Sequence, residues 1–434
     1  MVSRRGTENI QPPQALRKVC FRKRSSEYQN ELNLPKKSLF LFQKRFKLIV
    51  ISLLFLAICY YYRYPIYHWG YQQFGFLNYD VPTLHFHTEP EYVLTIKRQR
   101  EKSLNEGWIT TDKRDLVPTK IDLDGRIIQA QYRLKGDYIE HALQEKCSYR
   151  VEAADTVFGK LKFSLHKPIR RNNLNEFFWQ FACAKEGLIR LDYDLVQLSV
   201  NEDNFGLYAL EEHFGHNFCS RRNLSGFVLR FEEKEYWNQK ISSQPMSSRK
   251  SFESAAIDSY STPTIKKNAA LWKEHEVIIA KLHLWRAGII PLTSVFDPYK
   301  LATYFALADL CSGHHALVWH NLRFYYRPET GLLEPIAYDG DLFGTIESPV
   351  FASENRSSGW HFSSRCLGNK SFESIYKKEL ARIADNQYLH DLFRDFKGEQ
   401  LKYENILQWE YPRYSFNANF LINNLQTIQS NLIH

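Results

Sequence analysis

Two β-rich runs, Asn321 to Tyr326 and Leu332 to Tyr338, flank a Pro-Glu-Thr-Gly turn, and no other stretch limits the fold so tightly. Alternation on both sides of such a turn predicts a hairpin. Polar groups cluster at its open end: His320 and Asn321 lead into the first strand, and Asp339-Gly340-Asp341 leaves the second. A hairpin brings those ends together, so an Asn and an Asp come side by side. Such hard oxygen donors suit Mg²⁺ carrying phosphates. Asp-Gly-Asp is also a common turn and Asn a common loop cap, so a purely local role fits the same residues.

Turn and cap signals place the other elements. Residues 91–107 read as a charged helix stopped by Gly107. Lys120 to Gly136 reads as a hairpin about Asp124-Gly125. Ser148 to Ala153 and Leu161 to Leu165 read as strands, and Leu195 to Val200 with Gly206 to Glu211 as a second hairpin. Asn173 to Lys185 carries Leu174, Phe177, Phe178 and Phe181 at helical spacing. Asp297 caps and Pro298 opens a helix that ends near Leu310, and residues 370–434 are mostly helical. Strands first and helices after predict an α+β, two-lobed body: a strand-rich lobe over 91–235, a polar, Ser-rich insertion or linker over 236–290, and a helical lobe with the hairpin over 291–434.

With 44% hydrophobic and 15% aromatic residues, the 434-residue chain is not a disordered one. Its charge is uneven. Residues 1–47 hold twelve Lys/Arg against three Asp/Glu, a balance of +9 that equals the whole chain's. That leaves 45 of each sign in residues 48–434, so the basic pI near 9.0 belongs to the tail and gives no reason to expect nucleic acid. The tail reads as disordered. Leu48 to Tyr62 (LIVISLLFLAICYYY) is free of charge. With Lys47 and Arg63 snorkelling, residues 48–64 are expected to form a single membrane helix. The positive tail would then face the cytoplasm and anionic inner-leaflet lipids, 65–90 would be a juxtamembrane connector, and the body would be extracytoplasmic. The body's five cysteines, Cys147, Cys183, Cys219, Cys311 and Cys366, lack zinc-ligand spacing and leave one or two disulfides or free thiols open.

Five motifs in order resemble the spore-coat protein H (CotH) kinase family, an atypical kinase-like group. They are RLKGD at 133–137, SYRVEA at 148–153, FSLHKPIRRNNLNEF at 163–177, GLYALEEHF at 206–214, and HNLRFYYRPETGLLEPIAYDGDLFG from His320. The resemblance spans about 92–430. It implies a two-lobed atypical protein-kinase-like fold that transfers phosphate from ATP, with Mg²⁺ or Mn²⁺, to an unknown protein (Ser/Thr) or glycan acceptor. Asn321 and Asp339 would ligate the metal, and Asp341 would support that loop or contact a second ion. Glu212 would position a basic residue against the phosphates, with Arg133, Lys135, Arg150 and Lys162 as phosphate-facing cations.

The chain departs from that pattern twice. Glu152 stands where the family has a lysine, with Lys162 on the next strand as its substitute. Ala316 stands where the family has its catalytic Asp, five residues before Asn321. Asp309, or the His314-His315 pair, would then have to serve as base. Without one, the chain would be an inactive kinase-like scaffold in envelope or coat assembly.

Overall fold

The computed structural model describes residues 46–56, 58, 81–242, 248–340, 344–353 and 361–433. The chain divides into two compact units, Met1–Ile66 and Tyr67–His434. In the first, residues 46–56 form a helix, α1, whose Leu48, Ile51, Leu53, Leu54 and Phe55 are exposed. A span needs about 20 apolar residues. Among the described residues no helix is long and apolar enough to cross a membrane. The expected single-pass anchor over 48–64, with its bilayer contact and its cytoplasmic and extracytoplasmic sides, is corrected accordingly. The basic tail and most of the expected connector lie outside the described residues.

The second unit begins with a barrel. β1 (Thr83–His87) is followed by α2 (Pro90–Glu106), which ends at Gly107 in the left-handed region (φ 76°). β2 (Val117–Leu123) and β3 (Arg126–Leu134) turn through Asp124 and Gly125 at φ 52° and 85°, the backbone of a two-residue hairpin turn. β4 (Tyr149–Val157), β5 (Lys160–His166), β6 (Tyr193–Val200) and β7 (Asp203–Glu212) complete it in the order β1-β2-β3-β4-β5-β7-β6. β1 closes the ring by pairing antiparallel with β2 and parallel with β6.

Strand alternation then sorts the side chains. Tyr132, Leu134, Tyr149, Val151, Phe163, Leu165, Tyr208 and Leu210 fill the interior with Leu84 and Phe86. Arg133, Arg150, Glu152, Lys162, Ser164 and His166, set between them, face outward.

A second sheet has the order β11-β10-β8-β9, from β8 (Phe227–Phe231), β9 (Ile257–Ser259), β10 (Arg323–Arg327) and β11 (Leu332–Pro335). The expected hairpin is β10–β11, with Arg327 opposite Leu332. Between barrel and second sheet come α3 (Leu174–Lys185) and the short α4 (His216–Ser220). The stretch expected as an insertion or linker is built into the fold. It holds α5 (Lys234–Ile241), α6 (Ser248–Ser254), β9, α7 (Thr262–Ile265) and α8 (Ala269–Ala287), and β9 pairs with β8. α9 (Pro298–Leu310) starts where Asp297 accepts from the amides of Tyr299 and Lys300. Then follow α10 (His361–Leu367), α11 (Lys370–Ile383), α12 (Asn386–Glu410) and α13 (Asn419–Ile433). Outward Leu195, Leu207 and Ala209 of β6 and β7 join the helical core.

A closed seven-stranded barrel with a second sheet replaces the expected two-lobed kinase-like fold preceded by a membrane helix. The physical cause is β1. Its alternating TLHFH segment falls in the stretch expected as a connector, yet it buries Leu84 and Phe86 and joins the two ends of the sheet. The five body cysteines are buried and free.

Candidate functional site

The outer wall of β3, β4, β5 and β7 carries a polar row. Arg133 stands opposite Arg150, Arg150 opposite Ser164, and Ser164 opposite Glu211. Directly paired like charges disfavour a sheet, yet Arg133 and Arg150 are kept. Beyond the row, the Lys135 ammonium donates to His166 Nε2 at 2.9 Å and to Glu211 Oε1 at 3.2 Å. The next residue, Gly136, must be glycine: its φ is 126°, and a Cβ would stand 2.5 Å from the His141 ring.

Arg171, from the 3-10 turn Pro168–Arg171 after β5, links this wall to the hairpin. One guanidinium nitrogen donates to Glu211 Oε2 at 2.8 Å and another to Asp339 Oδ1. The second Asp339 oxygen is 3.2 Å from His315 Nε2. The Asn321 amide donates to the His315 carbonyl at 3.0 Å. Lys135, Glu211, Arg171, Asp339 and the neutral His315 ring thus form one polar chain, and Asn321 meets the backbone of its last member.

Burial pushes the Lys135 ammonium down to about 7, with Glu211 opposing and Arg150 and Arg171 adding to the shift. Burial pushes the Glu211 carboxyl up, but Arg171 and Lys135 outweigh it and hold the carboxyl well below the usual range. Burial, Lys135 and Arg171 keep His166 neutral.

Arg150 is only 9% exposed, its Nη1 has no hydrogen-bond partner, and no carboxylate pairs with it among the described residues. The Oγ of Ser164, fully buried and opposite it in register, also lacks a partner. A buried charge without a counter-charge costs several kcal/mol. Five cations (Arg133, Lys135, Arg150, Lys162, Arg171) gather here with Glu152, Glu211 and Asp339, while Asp112, Asp115 and Asp137 also act on Arg133. Lys162 and Glu152 pair at 2.6 Å at the rim, where both are partly exposed.

Asp339 sits at positive φ (57°), which Asp tolerates better than most residues. Gly340 follows because a Cβ there would overlap the indole of fully buried Trp179. Gly340→Ala is therefore expected to cost about 1–3 kcal/mol, the usual penalty for overpacking, in a urea unfolding titration.

The other expected site residues fall elsewhere. Asp309 is fully buried; its carboxylate takes His314 Nε2 at 2.8 Å, the Val350 amide at 3.0 Å and the Tyr376 hydroxyl. These contacts tie α9 to α11, a structural employment that leaves little for a base to do. Glu212 is held by Arg221, Arg222 and the Asp192 amide, and Glu211, one residue earlier, contacts Lys135 instead. Asp341 lies outside the described residues. Asp339 has its two oxygens engaged by Arg171 and His315, and Asn321 meets the His315 carbonyl rather than Asp339. Among the described residues no group of three or more His, Cys, Asp or Glu is set to hold a metal. Arg171, Glu211, Ser164 and His166 were missed as site residues, although KLKFSLH alternates polar Lys162, Ser164 and His166 with apolar neighbours.

Burial pushes both His315 and His320 down to about 4; Glu233 partly opposes this at His320. Each is neutral in the fold and would gain its proton near 6.5 when unfolded. Their stabilisation is therefore full above about pH 6.5 and lost as pH falls towards about 4. Urea unfolding should lose up to about 1.4 kcal/mol per pH unit for a buried His such as His320. His320→Gln should flatten that slope.

Neither a known family model nor any curated protein matches the chain. The resemblance to the CotH kinase family therefore rests on its motifs alone, and the barrel and the absence of a spanning helix among the described residues leave the kinase and membrane expectations without support.

Proposed function

We propose that the chain binds a phosphate-bearing ligand against the outer wall of its barrel. The observation that carries this reading is Arg150: a buried guanidinium with an unpartnered nitrogen, facing an unpartnered serine hydroxyl. A phosphate supplies the missing charge and accepts from both groups, and the planar fork of arginine suits it. Arg133 and Lys135 add charge from the neighbouring strand, and Lys162 stands at the partly exposed rim. The reading is one of binding rather than transfer, because Asp309 is committed to packing contacts and Asp339 to Arg171.

The test is thermal stabilisation by pyrophosphate, ATP and adenosine in the presence of a chelator. Pyrophosphate and ATP should raise the melting temperature, by about 2.7 kcal/mol of stability at a hundredfold excess over Kd. Adenosine should not, and Arg150→Met should lose the response. Binding should weaken as pH rises through about 7, where Lys135 loses its charge. If neither phosphate compound shifts the melt, the reading is wrong.

A further inference from the structure

A second site lies apart from that polar chain. Lys240, in the last turn of α5, places its ammonium 5.7 Å from the Trp108 ring centre, 4.9 Å from Tyr138, 5.7 Å from Tyr236 and 5.0 Å from Trp237. The rings support one another: Trp108 and Tyr138 are 5.5 Å apart, Tyr138 and Trp237 5.3 Å, and Tyr236 and Trp237 5.1 Å. Trp108 and Tyr138 are further joined by a backbone bridge, and the Trp237 indole N–H donates to Glu233 at 3.1 Å. Lys240 has no carboxylate partner among the described residues; its ammonium donates to the Tyr138 hydroxyl at 2.8 Å, bonds the Tyr236 side chain as well, and otherwise meets the two indoles.

Two indoles and two phenols gathered around one cation make an aromatic cage, the arrangement that recognises quaternary ammonium groups. The two indoles favour such a group: they stand 5.7 and 5.0 Å from the ammonium, within cation–π reach, and a methylated cation sheds water more readily than a primary ammonium, which is strongly hydrated.

We propose that Trp108, Tyr138, Tyr236 and Trp237 form a binding site for a trimethylammonium group, and that Lys240 is its built-in occupant, displaced when the ligand enters. Lys240 has a flexible four-carbon stem and lies half-buried, so it can swing to solvent. The site is independent of the phosphate reading: none of its four rings touches Arg150, Ser164 or Glu211 in any contact described above.

The experiment titrates full-length protein with choline and, separately, with Nε-trimethyl-lysine, reading tryptophan fluorescence and calorimetric heat. Unaltered protein should bind weakly. Lys240→Ala and Lys240→Gln should bind at least about tenfold more tightly, because the internal competitor is gone. Whichever compound gains affinity identifies the source of the group. Adding Trp237→Phe or Trp108→Leu to Lys240→Gln should remove the gain. The proposal is overturned if both Lys240 variants keep the native circular dichroism spectrum yet bind neither compound better than the unaltered protein does. It is equally overturned if the gain survives both tryptophan substitutions.

Discussion

Arg150→Met is expected to melt higher than the unaltered protein while losing its response to pyrophosphate. Most buried substitutions destabilise, so the sign is informative. Arg150 is 9% exposed and has no ion-pair partner among the described residues. Burial disfavours its charge, and Tyr338, Glu211, Tyr260 and Glu152 offset that only in part, none of them as an ion-pair partner. Leaving one charge of a buried pair unpaired costs about 3–5 kcal/mol. Methionine fills a similar channel without charge and adapts to irregular space. Removing the charge also ends the repulsion from Arg133, across the β3–β4 pair. A gain of about 2 kcal/mol is expected, a rise of a few degrees in melting temperature for a body of this size. A structural Arg150 would show the opposite: a lower melt and an unchanged ligand response. That pattern would falsify the binding reading.

Arg171→Met should move stability the other way, and further. Arg171 is 7% exposed and is shared by Glu211 and Asp339. Its loss takes the shared guanidinium from two buried carboxylates, leaving Glu211 with Lys135 and Asp339 with His315, and should cost about 3–5 kcal/mol by urea titration. Glu211→Gln in the same chain should restore part of that loss, since one of those charges is gone; additivity would mean that the two residues do not act on each other. The deficit should also shrink as pH falls towards 5. Burial favours the protonated Glu211, and in the variant Lys135 alone remains of the two cations that hold its carboxyl low, helped by the hydrogen bond of neutral His166. The variant's Glu211 then accepts a proton at a pH where the unaltered one stays ionised.

Local chemistry was legible where a residue type dictates a backbone. Asp124-Gly125 announced the β2–β3 turn, Asp297-Pro298 the start of α9, and Gly107 the end of α2. The cations Arg133, Lys135, Arg150 and Lys162 were expected as a set only through the family resemblance; strand alternation puts Arg133, Arg150 and Lys162 on one face. Long-range pairing was not. Nothing in TLHFH says that it meets β6 more than a hundred residues later, and that parallel contact turns an open sheet into a barrel. The carboxylate on β7 was misplaced by one residue, enough in a strand to move a side chain to the other face; Glu211 faces the wall and Glu212 meets Arg221 and Arg222. Asp309 illustrates the same limit. A lone Asp at a helix end looks available until Tyr376, from another helix, is seen to donate to it.

The closing strand bears on where this protein can be cut. β1 is five residues long and precedes every other element of the body that is described, yet it occupies both otherwise open margins of the sheet. A fragment that begins at α2 keeps six of the barrel's strands and nearly all of its apolar filling. It would nevertheless expose β2 and β6 as bare edges, each a template for pairing with a second molecule. Self-association of such a fragment would reflect that missing seam rather than any native assembly.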